Sequence, residues 1–200
     1  SKIPMIIEKG FSYYWKSRHI KKNTFILPDG DREKCLASIK SLQNNRLVQS
    51  ILHPTDVFGD PIPSFNEEAF FADYVVLVDG KACVIPFKLK IDNWTIDVDN
   101  KVLTLNDLKT TGKRCIYFMN PDFGSLYHYH YLRQFHCYSE ILKKYCEKEF
   151  GYDNSWTFKA NVCVVETFGD HESRCYKITE EMMESARSEF ENLMKMVGYY

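Results

Sequence analysis

The sequence predicts a single α/β (α+β) domain with a central mixed β-sheet, a three-strand meander plus further strands, flanked by helices. Three observations carry this. Apolar periodicity alternates between helical and strand-like spacing in the order helix, three strands, helix, two strands, helix. At 44% hydrophobic and 15% aromatic content, the 200 residues can bury one sizeable core and suit one domain better than two. The turn signals Asp79-Gly80 and Asp99-Asn100 divide residues 68–108 into three successive strands.

Residues 1–30 mix aromatics with the basic cluster Lys16, Arg18, His19, Lys21 and Lys22 and end in a Pro28-Asp29-Gly30 turn. This cluster reads as a solvated face, with a phosphate-contacting arm as the alternative. Asp31 is suited to cap a helix reaching about Leu52, with Leu36, Ile39, Leu42 or Gln43, Leu47 and Ile51 near helical spacing. Pro54 ends it, and three prolines and a glycine mark residues 54–66 as a loop.

The strands follow at residues 68–78, 83–98 and 101–108. Pro86 cannot donate to a ladder, so it belongs at an edge or bulge. Residues 125–150 then read as one amphipathic helix stopped by Gly151, with Leu126, His130, Gln134, Tyr138, Ile141, Leu142 and Tyr145 on its stripe. Strands are expected at 158–167 and 174–178. Thr179 caps a final helix whose stripe is Met183, Ala186, Phe190, Leu193, Met194 and Val197.

Composition narrows the functional classes. There is no run of eighteen apolar residues and no signal-peptide pattern, so nothing points to membrane insertion or secretion, and a cytoplasmic setting is expected. Seven cysteines without a C-x-x-C pair argue against a zinc ribbon or an iron–sulfur cluster and read as reduced, mostly buried thiols. A net charge of −1 gives no global field for nucleic acid, so any such binding must come from local patches. The chain begins at Ser1 and not at Met, which fits a cut or processed product with further sequence upstream.

Chemistry concentrates in residues 87–112, FKLKIDNWTIDVDNKVLTLNDLKTTG. On a strand, Leu105, Asp107 and Lys109 share one face, as do Lys90 and Asp92. Asp92 precedes Asp107 by fifteen residues across a hairpin, so pairing of the two strands brings both acids within reach of one ion. Two carboxylates and a backbone carbonyl, here that of Leu108, suit Mg²⁺, which keeps several waters and takes further ligands from phosphate. On spacing alone, a meander with a charged solvated face explains the same residues.

The string NDLKTTG, residues 106–112, together with Asp92, resembles the PD-(D/E)XK nuclease superfamily, in particular phage exonucleases of the RecE, RecB and lambda-exonuclease type. Such enzymes also carry a Q-x-x-x-Y motif on the helix after the D-x-K strand, matched here by Gln134 and Tyr138. The resemblance spans residues 31–167 and implies a restriction-endonuclease-like core. It further implies Mg²⁺ or Mn²⁺ held by Asp92, Asp107 and the Leu108 carbonyl, with Lys109 as catalytic lysine and Gln134 and Tyr138 facing the site. A further upstream ligand is usual in these enzymes; His53 and Glu68 are the candidates, and the alternative is a residue before Ser1.

Lys113 and Arg114 follow the motif directly and are placed to hold a DNA backbone, with Thr110, Thr111 and Arg133 as further DNA contacts. In the YHYHY run at residues 127–131, adjacent side chains on a helix diverge, so only His130 joins the Gln134 and Tyr138 stripe, as a candidate phosphate contact; His128 and His136 face elsewhere. Trp94 reads as core in preference to a stacking platform.

The expected function is metal-dependent exonuclease action on linear double-stranded DNA ends in phage-type recombination. The resemblance adds a single-strand annealing protein and a homo-oligomeric ring as expected partners. The alternatives are a catalytically silent nuclease-like module that binds DNA or protein, and a Cas4-like or repair nuclease of the same superfamily.

Overall fold

A computed structural model describes residues 30–199 and the backbones of two short parallel strands, β1 (Met5–Ile6) and β2 (Phe25–Ile26). The basic cluster at residues 16–22 lies outside the described residues.

The first predicted helix is two. α1 (Asp31–Asn44) and α2 (Arg46–Leu52) meet at Asn45, whose extended backbone breaks the helix and whose side chain accepts from the amides of Leu47 and Val48. Asparagine competes for backbone donors in this way at helix starts. Asp31 lies inside the first turn, and Gly30, at φ 85°, occupies the cap. The apolar stripe expected of this segment is not its buried face: Leu36, Ile39 and Leu47 are exposed. Contact is instead polar, through Ser38 to the Glu166 carbonyl at 3.1 Å and Asn45 to the Ser173 carbonyl at 2.8 Å, with Val48 buried.

The meander forms as predicted, with longer strands: β3 (Ser64–Val78), β4 (Lys81–Asp97) and β5 (Val102–Thr111). β6 (Thr157–Glu166) joins parallel to β5, and β7 (Ser173–Ile178) closes the sheet antiparallel to β6, giving the order β3-β4-β5-β6-β7. β5 pairs with β4 only over Asn93–Asp97, so the far part of the β3–β4 hairpin reaches beyond the sheet and Pro86 has no ladder to serve on that side.

The second predicted helix is also interrupted. α3 (Ser125–His128) ends at Tyr129, His130 adopts φ 55°, and α4 (Tyr131–Phe150) starts anew. The last one divides at Ala186 into α5 (Glu180–Ser185), capped by Thr179 as expected, and α6 (Arg187–Tyr199). Met183, Ala186, Phe190 and Met194 are buried, whereas Leu193 and Val197 are exposed.

The main core lies between the sheet and α4, α5 and α6, and holds Phe70, Leu89, Ile91, Trp94, Leu103, Leu105, Phe135, Leu142 and Phe190. Trp94 is core as expected: fully buried, stacked on Phe65 at 4.1 Å, its Nε1 donating to Glu68 Oε2 at 2.8 Å. α1 and α2 cover the opposite face. All seven cysteines are free thiols; Cys115, Cys137, Cys146 and Cys163 are buried and Cys35 is exposed.

Candidate active site

The inward face of β4 changes parity at one place. Ile85, Leu89 and Ile91 are buried before it and Trp94 and Ile96 after it, so the alternation breaks at Asp92-Asn93. On the neighbouring strand Glu67 is left-handed at φ 56°, and the opposing residues Glu67 and Asp92 are both missing from the ladder between the pairs Asn66–Asn93 and Glu68–Ile91. Asp92 stands at that break, one step beyond the last β4–β5 pair, Asn93–Asn106, and in line with Asp107.

Asp107 is 2% exposed and points to the α4 side. Its Oδ1 accepts from Gln134 Nε2 at 3.1 Å, and its Oδ2 meets the Lys109 ammonium at 2.5 Å. Lys109 is thus the polar partner of this buried oxygen among the described residues. Burial pushes the Asp107 carboxyl up, Lys109 opposes this, and the charge of Asp92 adds to the rise. Asp92 Oδ2 accepts from the Leu108 amide at 2.9 Å. Tyr138 sits on the same helix face as Gln134, its phenol pushed up by burial, with Gln134, Asp107 and Asp92 among its electrostatic neighbours. The five residues expected to form the reactive centre are thus brought together.

Behind them, on the α2 face of the sheet, runs a ladder of amides of which the motif string NDLKTTG includes only Asn106. Asn161 donates to Asn106 at 2.9 Å, Asn106 to Asn93 at 2.7 Å, and Asn93 to Asn66 at 2.9 Å. Asn106 and Asn93 also reach the Ile51 and Leu52 carbonyls, so the ladder receives the unpaired C-terminal carbonyls of α2. Each of the central pair directly adjoins an acid, Asn93 beside Asp92 and Asn106 beside Asp107. The signal lies in the strings IDN and LND, where asparagine occupies positions that alternation turns into the sheet.

The other predicted residues are distributed less favourably. Glu68 is committed to Trp94, and His53 is an exposed helix-end residue; neither lines the cleft beside Asp92. That cleft, about 440 Å³, is lined by Leu52, Asn66, Glu67, Asp92, Asn93, Asn106 and Leu108, so Glu67 approaches where Glu68 was expected. Glu67 forms an ion pair with Lys90. His130 leaves the Gln134 stripe because its left-handed backbone ends the helix; it pairs with Glu189 at 3.1 Å, as does Arg133 at 3.2 Å. Arg114 is held by Glu166 and Glu172, and Lys113 donates to the Phe123 carbonyl. Thr111 is buried and accepts from the Lys113 amide, leaving Thr110 exposed on the strand.

The donor set fits a hard divalent cation. It offers a buried carboxylate and, in line with it across the hairpin, a second one whose Oδ2 already accepts from the Leu108 amide. Among the described residues no group of three or more His, Cys, Asp or Glu side chains is gathered to hold a metal. Two acids alone would suit an ion that keeps its waters and takes phosphate as ligand.

Comparison with known proteins agrees with this architecture. No curated protein matches the chain. Among solved structures, a crystal structure of a protein from Eubacterium rectale that carries a provisional exonuclease designation superimposes with a TM-score of 0.52 at 8% identity, over 82% of this chain and 52% of that one. The chain thus spans about half the length of that protein, and the likeness concerns the fold. Residues 60–198 match the family described as PDDEXK-like domain of unknown function (DUF3799). With most of its length matched and a five-stranded mixed sheet between helices, the chain belongs to this PDDEXK-like family and so to the PD-(D/E)XK nuclease superfamily.

Proposed function

We propose that the protein is a Mg²⁺- or Mn²⁺-dependent deoxyribonuclease that hydrolyses phosphodiester bonds from the ends of linear DNA. The observation that carries this reading is the buried Asp107 carboxylate, held between Gln134 and Lys109 and in line with Asp92 across the hairpin. A solvated charged face would leave Asp107 exposed.

Asp92 and Asp107 would hold the ion, with the Leu108 carbonyl completing the protein's share by family resemblance. When bound, the cation supplies charge neutralisation at the phosphodiester and a water of lowered pKa. Lys109 presents its ammonium on the same face, where it orients the attacking water or stabilises charge as it develops on phosphate. Gln134 and Tyr138 bring an amide and a phenol to the same place and position phosphate oxygens by hydrogen bonding. Water adds to phosphorus as the P–O3′ bond breaks, leaving a 5′-phosphate and a 3′-hydroxyl, the polarity expected from the superfamily resemblance. The reading extends to a host-cytoplasm enzyme of phage-type recombination that works with a single-strand annealing protein and forms a ring.

Incubating the purified protein with Mg²⁺ or Mn²⁺, linear duplex and covalently closed circular DNA tests this. Loss of the linear form alone supports end-dependent hydrolysis. Cutting of both makes the protein an endonuclease, and cutting of neither makes it a silent binding module.

A further inference from the structure

The break between α3 and α4 has a consequence for the YHYHY run. On one continuous helix its rings would diverge, but with His130 at φ 55° the chain turns between Tyr129 and Tyr131. A non-glycine residue held left-handed is sparsely populated and needs support from its surroundings. Here the His130 imidazole is tied to Glu189 at 3.1 Å and the Arg133 amide bonds back to the His130 carbonyl at 3.1 Å.

The turn sets the rings in series, starting at the reactive centre. Lys109 Nζ lies 4.8 Å from the Tyr131 ring centroid, Tyr131 lies 5.7 Å from Tyr129, and Tyr129 lies 4.8 Å from His128. Phe118 backs Tyr131 from within the core, stacked at 6.2 Å and 14°. Beyond Tyr131, Tyr129 is 60% exposed. The same lysine that meets Asp107 therefore opens a row of aromatic faces leading to solvent.

We propose that Tyr129, backed by Tyr131, is a stacking subsite for an unpaired nucleobase of the strand whose phosphate lies at Asp107. The proposal rests on the nuclease reading for the identity of the strand. A phosphate at Asp107 and Lys109 places the attached nucleoside beside Tyr131 and Tyr129, and every base has a π-face that an exposed ring can cover whatever the sequence. A base within a duplex has both faces occupied by its neighbours, so the subsite selects frayed or single-stranded ends over blunt paired ones. The His128 ring, at 79° to Tyr129 and 4.8 Å from it, adjoins this platform.

The test separates stacking from cleavage by omitting divalent ions. Wild type, Tyr129→Ala and Tyr129→Trp are titrated in EDTA into a short oligothymidylate with 2-aminopurine at its terminal position, and into a blunt hairpin duplex with the same label. Stacking predicts quenching of 2-aminopurine on the single strand by wild type and Tyr129→Trp. It also predicts a roughly tenfold or greater loss of single-strand affinity in Tyr129→Ala, with a smaller change on the hairpin. Equal single-strand affinity and quenching in wild type and Tyr129→Ala overturn the subsite. So does failure of tryptophan to retain them. If the pattern holds while no DNA is cut in Mn²⁺, the subsite stands and the nuclease reading falls.

Discussion

Gln134 Nε2 donates to Asp107 Oδ1 at 3.1 Å, joining the helix that follows the meander to the acid at the end of its third strand. This contact satisfies one oxygen of the buried carboxylate and leaves the other to Lys109. Partners of ligating carboxylates typically affect metal affinity or activity by about 10–100-fold. Gln134→Ala is therefore expected to lower nuclease activity by roughly that factor and to weaken Mn²⁺ binding, with the circular dichroism spectrum unchanged. Wild-type affinity for Mn²⁺ in calorimetry of this variant would separate Gln134 from the site.

Lys109 and Asp107 form an ion pair at 2.5 Å with both side chains largely withdrawn from water. Removing the ammonium leaves a buried carboxylate without its countercharge, a loss of about 1–3 kcal/mol for an unsatisfied buried group. Lys109→Met should melt below wild type in EDTA and regain more of its Tm on addition of Mn²⁺ than wild type does, since the ion takes over neutralisation. Thermal scans with and without Mn²⁺ check this; equal shifts in the two proteins would mean that the cation does not reach Asp107.

The Asn106 amide is fully buried, donating to Asn93 and the Ile51 carbonyl and accepting from Asn161. Asn106→Ala strands several buried polar atoms and is expected to destabilise the fold by about 2–3 kcal/mol. Because the ladder fixes the strands immediately beside Asp92 and Asp107, the same variant should show weaker Mn²⁺ binding at temperatures where it remains folded. Urea unfolding gives the first quantity and calorimetry the second.

His136 is buried against Phe190, and its imidazole is held below the ordinary range chiefly by burial, with Arg187 acting the same way and Glu140, Glu184 and Glu191 opposing. The folded state thus favours the neutral ring. Stability is fully present above the unfolded value, near 6.5, and is lost as pH falls through that value toward the lower folded one. Urea midpoints should decline from about pH 7 to about pH 5, and His136→Gln should show a smaller decline. Parallel slopes would show that another group carries the pH dependence.

Much of the fold and of the site is legible in the sequence because alternation and turn chemistry act locally. Asp79-Gly80 and Asp99-Asn100 mark the hairpins, and strand alternation alone puts Asp107 and Lys109 on one face. The helix breaks at Asn45 and His130 are less legible, since each lies inside an otherwise helical pattern. Asn45 wins by capping the next segment with its own side chain, and His130 by a left-handed backbone that tertiary partners hold. The Leu36 and Ile39 stripe misleads because periodicity reports a helix but not which face is covered. Sequence cannot prefer Glu67 to Glu68, because one left-handed residue decides which acid turns toward Asp92.

The central claim is that Asp92, Asp107 and Lys109 are the reactive residues of a metal-dependent nuclease. The most direct measurement is cleavage of end-labelled linear duplex in Mn²⁺ by wild type, Asp107→Asn and Lys109→Met, each shown to be folded by circular dichroism. Wild type is expected to cleave, with a loss of about 10²-fold or more in both variants. Equal cleavage by all three would contradict it.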